Sequence, residues 1–119
     1  MIKTMKALSD ETRLRIMEVL LERDCCVCEV MQALDISQTR ASRNLNILQE
    51  AGFLTARRDR FWTVYGVNWQ TAHHYPTLLA RLLKEFPVSD ELLEKDRERL
   101  HHAARVGPGC RQSKPKKNI

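Results

Sequence analysis

The stretch RDCCVCEV, Arg23 to Val30, holds three cysteines within four positions, and the 119-residue chain has only one more, Cys110. As thiolates, cysteines are nucleophiles and ligands for soft ions. A chain of this length buries a core without covalent staples, so the cysteines are not needed to hold the fold together. No apolar run approaches the roughly 20 residues that span a bilayer. The N-terminal MIKTMKALSDETRLR lacks the apolar stretch and small-residue cleavage site of a secretory signal. The expected location is therefore the cytoplasm, with no membrane partner. In that reducing compartment neighbouring cysteines stay as thiols, and a cluster reads as metal-binding or redox-active. A lone buried cysteine is only a small hydrophobe, a reading that three in four residues do not fit.

The elements that must position these thiols are mostly helical. SDETRLRIMEVLLE has Ser9 as its expected N-cap, Asp10 and Glu11 in the first turn, and Leu14, Met17 and Leu21 at helical spacing. A second helix is expected from Cys26 to Leu34, with Val27, Val30, Met31 and Leu34 on one stripe. A third begins at Ser37, turns Ala41, Leu45 and Leu48 inward, and stops at Gly52. The tight ALDIS break between these two makes a helix-turn-helix. FLTARRDRFWTVYGVNW then alternates apolar and polar residues about RRDR, which predicts strands at 53–58 and 61–67 with arginines at the tip. The expected fold is mainly α with a β-hairpin wing, a winged helix-turn-helix of order α-α-α-α-β-β-α plus a C-terminal helix. The expected divisions are a dimerising winged domain over 1–88, a mostly solvated helix over 89–105 capped by Ser89, and a flexible basic tail over 106–119.

Charge points to a partner. The net charge is +5, and residues 38–60 carry five basic and two acidic side chains inside the folded part, a distribution that fits a polyanion. The tail VGPGCRQSKPKKNI carries four basic residues and no acidic one, and reads as solvated. On the outer face of the third helix, Gln38, Thr39, Ser42, Arg43 and Asn46 suit base edges and phosphates, and the wing arginines suit the DNA backbone. An ordinary polar surface helix is the bland alternative, and the adjacent basic hairpin weighs against it. HHYPTLLARLLKEF repeats apolar residues, among them Leu78, Leu79, Leu82 and Leu83, in a stripe wider than one small domain needs. The bland reading is core packing against the first helices; the sharper one, completed by Ile2, Met5 and Leu8, is a two-fold interface, favoured because two-fold DNA sites are bound by two-fold proteins.

LSDETRLRIMEVLLE, CVCEV, ISQTRASRNLNILQEAGFL and RRDRFWTVYGVN resemble, in that order, the successive motifs of the ArsR/SmtB family of metal-responsive winged-helix repressors, over residues 4 to 84. The family recognition pattern SQxxxSxHLxxL is met at Ser37, Gln38, Ser42, Leu45 and Leu48. Asn44 stands where the family has histidine, which implies a polar DNA contact of different reach. The wing pattern is met at Arg57, Arg58, Trp62 and Tyr65, while Arg60 replaces a turn glycine. Family members that sense arsenite or antimonite resemble ELCVCDLC at the head of the helix before the recognition helix. Cys26, Val27 and Cys28 match its CVC. The third family cysteine falls at Met31, and Cys25 supplies a replacement thiol.

The resemblance implies a repressor, not an enzyme, that binds an inverted-repeat operator in double-stranded DNA as a homodimer. Release is expected when As(III) or Sb(III) binds Cys26 and Cys28 together with Cys25, a thiol that the family pattern does not predict, with Cys110 as a further candidate and no organic cofactor. Three thiolates match a trigonal pyramid, and a helix N-terminus is expected to lower their pKa. Zinc prefers a closed tetrahedral set, and Glu29 is expected to point away. The family's other metal site is not matched by TAHHYPTLLARLLKEF, so His73 and His74 are assigned to surface or packing. Residues two apart on a helix point about 200° apart, so binding to Cys26 and Cys28 is expected to unwind the first turn. Cd(II), Pb(II), Zn(II) or oxidation is the alternative signal on the same fold. A thiol enzyme is disfavoured because no strand is expected before the cluster, and a protein-binding winged helix because the basic wing is intact.

Overall fold

The computed structural model describes residues 7–72 and 88–106. In chain order its elements are α1 (Glu11–Glu22), β1 (Cys25–Cys26), α2 (Val27–Leu34), α3 (Gln38–Glu50), β2 (Leu54–Asp59), β3 (Trp62–Val67), α4 (Trp69–Ala72) and α5 (Asp90–His102).

Helix α1 starts one residue later than Ser9 predicts. Asp10 is extended, and its carboxylate accepts the Arg13 N–H at 3.1 Å, so Asp10 is the cap. Leu14, Ile16, Met17, Val19 and Leu20 are buried along α1. Helix α2 ends on Asp35 in the left-handed region at φ 58°, which short polar side chains tolerate. Two residues on, the Ser37 hydroxyl accepts from the Arg40 N–H at 3.2 Å and starts α3. Ala41, Leu45 and Leu48 are fully buried, as the helical stripe predicts. Gly52 (φ 93°) ends the helix, with its N–H on the Gln49 carbonyl and that of Phe53 on the Leu48 carbonyl, both 3.0 Å, a Schellman closure.

The expected two-stranded wing is part of a three-stranded antiparallel sheet in the order β1-β3-β2. β2 and β3 pair from Leu54 opposite Val67 to Asp59 opposite Trp62. β1 is formed by two of the cysteines themselves, Cys25 opposite Tyr65 and Cys26 opposite Val64. A strand therefore does precede α2, contrary to expectation. The hairpin turns at Arg60 and Phe61, and Arg60 takes the left-handed φ of 61° that its replacement of a glycine implies.

Helix α5 does not lie loosely on the surface. Leu93 and Leu100 join the core, and Asp96 is 1 % exposed. Both Asp96 carboxylate oxygens accept from the Arg15 guanidinium of α1, at 2.8 and 2.9 Å, and one of them also accepts from Arg99 at 3.0 Å. Arg99 also donates to the Ala33 carbonyl and Arg15 to that of Leu34, which fastens α5 to the end of α2. Leu8, expected in a subunit interface, is fully buried in this chain's own core. Ile2, Met5, Leu78, Leu79, Leu82, Leu83, His73, His74 and Cys110 lie outside the described residues.

Candidate DNA-binding surface and thiol site

Helix α3 packs its Ala41, Leu45 and Leu48 stripe inward, which leaves Gln38, Thr39, Arg43 and Asn46 exposed and Ser42 half-buried, all on its outer side. Ser37 caps the helix and is exposed. Asn44 differs. It is buried, accepts from the Arg13 guanidinium at 2.9 Å and donates to the Arg40 carbonyl at 2.9 Å. Its side chain ties α3 to α1 and is not presented to a partner. Arg40, which the sequence pattern did not single out, is exposed in the first turn of α3, and its guanidinium donates to the Thr12 hydroxyl at 2.7 Å. At the wing, Arg57, Arg58 and Arg60 are exposed, with Arg57 paired to Asp24 at 2.7 Å. Phe61 is 60 % exposed at the tip.

The cysteines separate into two environments. Neighbouring residues of a strand point to opposite faces. Cys25 accordingly enters the main core, where its thiol donates to the Arg23 carbonyl at 3.5 Å. Cys26 turns the other way and forms a small separate cluster with Cys28, packed by Trp62 and Val106. The Cys26 and Cys28 sulfurs are 3.0 Å apart.

The opposed directions expected for these two residues assumed that both lie on the helix. Cys26 is the extended N-cap (φ −85°, ψ 175°) and only Cys28 is helical, so the pair converges with no unwinding. Glu29 does not point away either. Its Oε1 accepts the Cys26 N–H at 2.9 Å, the reciprocal half of a capping box, and its other oxygen takes Arg23 at 3.0 Å.

Burial, more than the helix dipole, sets the thiol chemistry. Loss of water, reinforced by the Glu29 charge, pushes the Cys25 thiol up to about 12. Loss of water also raises Cys26 to about 11, although backbone N–H groups of Glu29 and Cys28 partly offset it. Cys25 is a free thiol, whereas Cys28 is disulfide-bonded and must be reduced before it can act as a ligand. Among the described residues no three His, Cys, Asp or Glu side chains come close enough to hold an ion.

The segment after α5 runs directly over the pair. Val106 donates its N–H to the Cys28 sulfur at 3.3 Å. Arg105 lies 5.4 Å from the centre of the Trp62 ring, binds Asp59 at 2.9 Å and approaches Glu29 at 3.7 Å. The Trp62 indole N–H is buried with no hydrogen-bond partner among the described residues.

Residues 10–56 match the model for the bacterial regulatory protein arsR family. The chain is 39% identical over 85 residues to the arsenical resistance operon repressor of Escherichia coli, covering 71% of this chain and 69% of that one. The chain belongs to the ArsR family.

An arsenic resistance transcriptional regulator of Pseudomonas putida is 45% identical over 65 residues, 53% of this chain and 50% of its own length. Among solved structures, the homodimeric winged helix-turn-helix DNA-binding domain of a possible ArsR-family regulator from Mycobacterium bovis aligns with a TM-score of 0.63 at 25% identity, covering 73% of this chain and 81% of that one. The chain is thus an ArsR-family transcriptional repressor with a winged helix-turn-helix, not an enzyme. In this ArsR-family chain, no helix among the described residues is long and apolar enough to cross a membrane. Glu29 could have been found from sequence, since it stands three residues after the capping Cys26 before an apolar run. Arg105 and Val106 carry no local signal, because they reach the site only through the docking of α5.

Proposed function

We propose that this protein is a cytoplasmic homodimer that represses by binding an inverted-repeat operator and is released when As(III) or Sb(III) binds Cys26 and Cys28, with Cys110 as third ligand. The observation that carries the reading is the 3.0 Å separation of the two sulfurs at the head of the helix packed behind α3. For metal–sulfur bonds of ~2.3 Å, two sulfurs lie ~3.3 Å apart at a right-angled pyramid and ~3.8 Å apart at a tetrahedral ion. The 3.0 Å spacing, found with Cys28 in its disulfide, is nearer the pyramid than the tetrahedron. The names of the Escherichia coli and Pseudomonas putida relatives agree with a metalloid signal.

Cys25 faces the opposite side of β1 and is replaced as third ligand. Cys110 follows Val106 by four residues, a reach of at most ~14 Å for extended chain, and Val106 already touches the Cys28 sulfur. The high thiol pKa suits a metalloid. As(OH)3 and three neutral thiols give As(SR)3 and three waters, with every thiol proton leaving on a displaced hydroxide. A divalent ion must expel those protons into solution. On the DNA side, Gln38, Thr39, Ser42, Arg43 and Asn46 meet the major groove, while Arg58 and Arg60, with Arg57, meet the backbone.

The test is fluorescence anisotropy of the protein on a duplex recovered by in vitro selection, titrated under a phosphine reductant with arsenite, antimonite, cadmium and zinc. Release by the two metalloids at the lowest concentrations, lost in Cys110→Ser, is the expected result. A second reading, oxidation as the signal, is favoured by the disulfide at Cys28. It predicts release by diamide in the absence of any metalloid.

A further inference from the structure

We propose that Arg105 couples the thiol pair to the wing by masking Asp59, so that repression depends on a charge that the inducer uncovers. The idea rests on the sensor reading above.

Asp59 ends β2 and pairs across the hairpin with Trp62, the first residue of β3. It is the acidic residue in a run otherwise made of Arg57, Arg58 and Arg60. A carboxylate there opposes the approach of phosphates. Arg105 lies on it at 2.9 Å, and this contact, more than any other, holds the Asp59 carboxyl below its ordinary pKa. The same guanidinium lies over the Trp62 ring and approaches Glu29, whose Oε1 caps Cys26. One side chain from beyond α5 therefore touches both strand ends of the wing and the cap of α2.

The next peptide connects it to the ligands. Val106 donates its N–H to the Cys28 sulfur at 3.3 Å. A sulfur that gives a lone pair to a soft ion is a poorer acceptor and changes position, so the 105–106 peptide loses this anchor. Arg105 then leaves Asp59, and the uncovered carboxylate lowers the affinity of the wing for DNA. No unwinding of α2 is needed, which agrees with sulfurs that already converge.

The arrangement makes a non-additive prediction that requires no inducer. In the full-length reduced protein, Asp59→Asn alone changes DNA affinity less than about 2-fold, because Arg105 already neutralises the carboxylate. Arg105→Ala, and Arg105→Gln as a variant that keeps the bulk, weaken binding about 5-fold or more, the lower bound of ordinary allosteric coupling. Adding Asp59→Asn to either restores it, as coupled neighbours require. A simple sum of charges predicts that Asp59→Asn strengthens binding equally in every background, and that result overturns the proposal.

With arsenite, Arg105→Ala still has Cys26 protected from alkylation at the wild-type midpoint, within about 3-fold, while its residual DNA release falls below about 2-fold. Full release from that variant also overturns the coupling role. Failure of arsenite to protect Cys26 in the wild type removes the sensor reading and, with it, the inducer half of this one. The epistasis between Asp59 and Arg105 then decides whether the mask on the wing exists.

Discussion

Asn44 lies on the recognition helix with its side chain turned into the protein, and replacing it separates a structural tether from a base reader. Its amide oxygen accepts from Arg13 at 2.9 Å and its nitrogen donates to the Arg40 carbonyl at 2.9 Å, with 7 % of the residue exposed. Asn44→Ala removes a hydrogen bond to a charged group, about 1.5–3 kcal/mol. Arg13 keeps its 2.6 Å bond to the Ala7 carbonyl, so the loss belongs at the lower end, about 1.5–2 kcal/mol. For a chain between the 100- and 150-residue classes, about 3–5 °C per kcal/mol applies, which puts the melting midpoint about 5–10 °C down. Circular dichroism melts at one fixed protein concentration measure it, because dimerisation makes the midpoint concentration-dependent. DNA affinity should fall by a similar factor on every operator variant. A melting point within about 1 °C of wild type, together with relaxed preference at a single base pair, would refute the tether and restore Asn44 as a base contact.

Three further outcomes follow from the geometry. Cys25→Ser should destabilise the fold by placing a hydroxyl in the apolar core, yet leave the arsenite midpoint of the folded fraction unchanged; a lost response would return Cys25 to the ligand set. Since burial holds the Cys26 thiol protonated up to about 11, cadmium binding that displaces the Cys26 proton should tighten by about 10-fold from pH 6.5 to 7.5, one decade for that proton, whereas arsenite binding stays flat; parallel slopes would contradict the proton balance. Gly66→Ala places a Cβ 2.6 Å from the Asp24 carboxylate and should push Asp24 off Arg57, costing at most ~1 kcal/mol while steepening the salt dependence of DNA binding; an unchanged slope would show that Arg57 is not near phosphate.

The helical frame was legible because its signals are local. The α3 stripe, the Ser37 and Ser89 caps and the Gly52 stop all stand where spacing and cap chemistry place them. What escaped depends on distant partners. β1 is two residues long and exists only through pairing with β3, so no periodicity announces it. That pairing makes Cys26 extended, parts Cys25 from the other two thiols and lets Cys26 meet Cys28. Helix α5 reads as solvated by composition, since its anchor is an acidic residue, Asp96, whose partner Arg15 is 81 positions away. The family's histidine pattern points Asn44 at DNA, and only the Arg13 contact from α1 shows that it faces inward. The thiol pKa values were expected to fall at a helix start, and burial outweighs that field.

The most direct measurement is an arsenite titration of the reduced protein on its selected duplex by anisotropy, wild type beside Cys26→Ser and Cys28→Ser. The predicted result is equal DNA affinity for all three without arsenite, release of the wild type with a coupling of about 5- to 150-fold, and no release of either variant at any arsenite concentration that releases the wild type. Release of both variants at the wild-type midpoint would contradict the account, because the 3.0 Å sulfur pair would then not be where the signal is read.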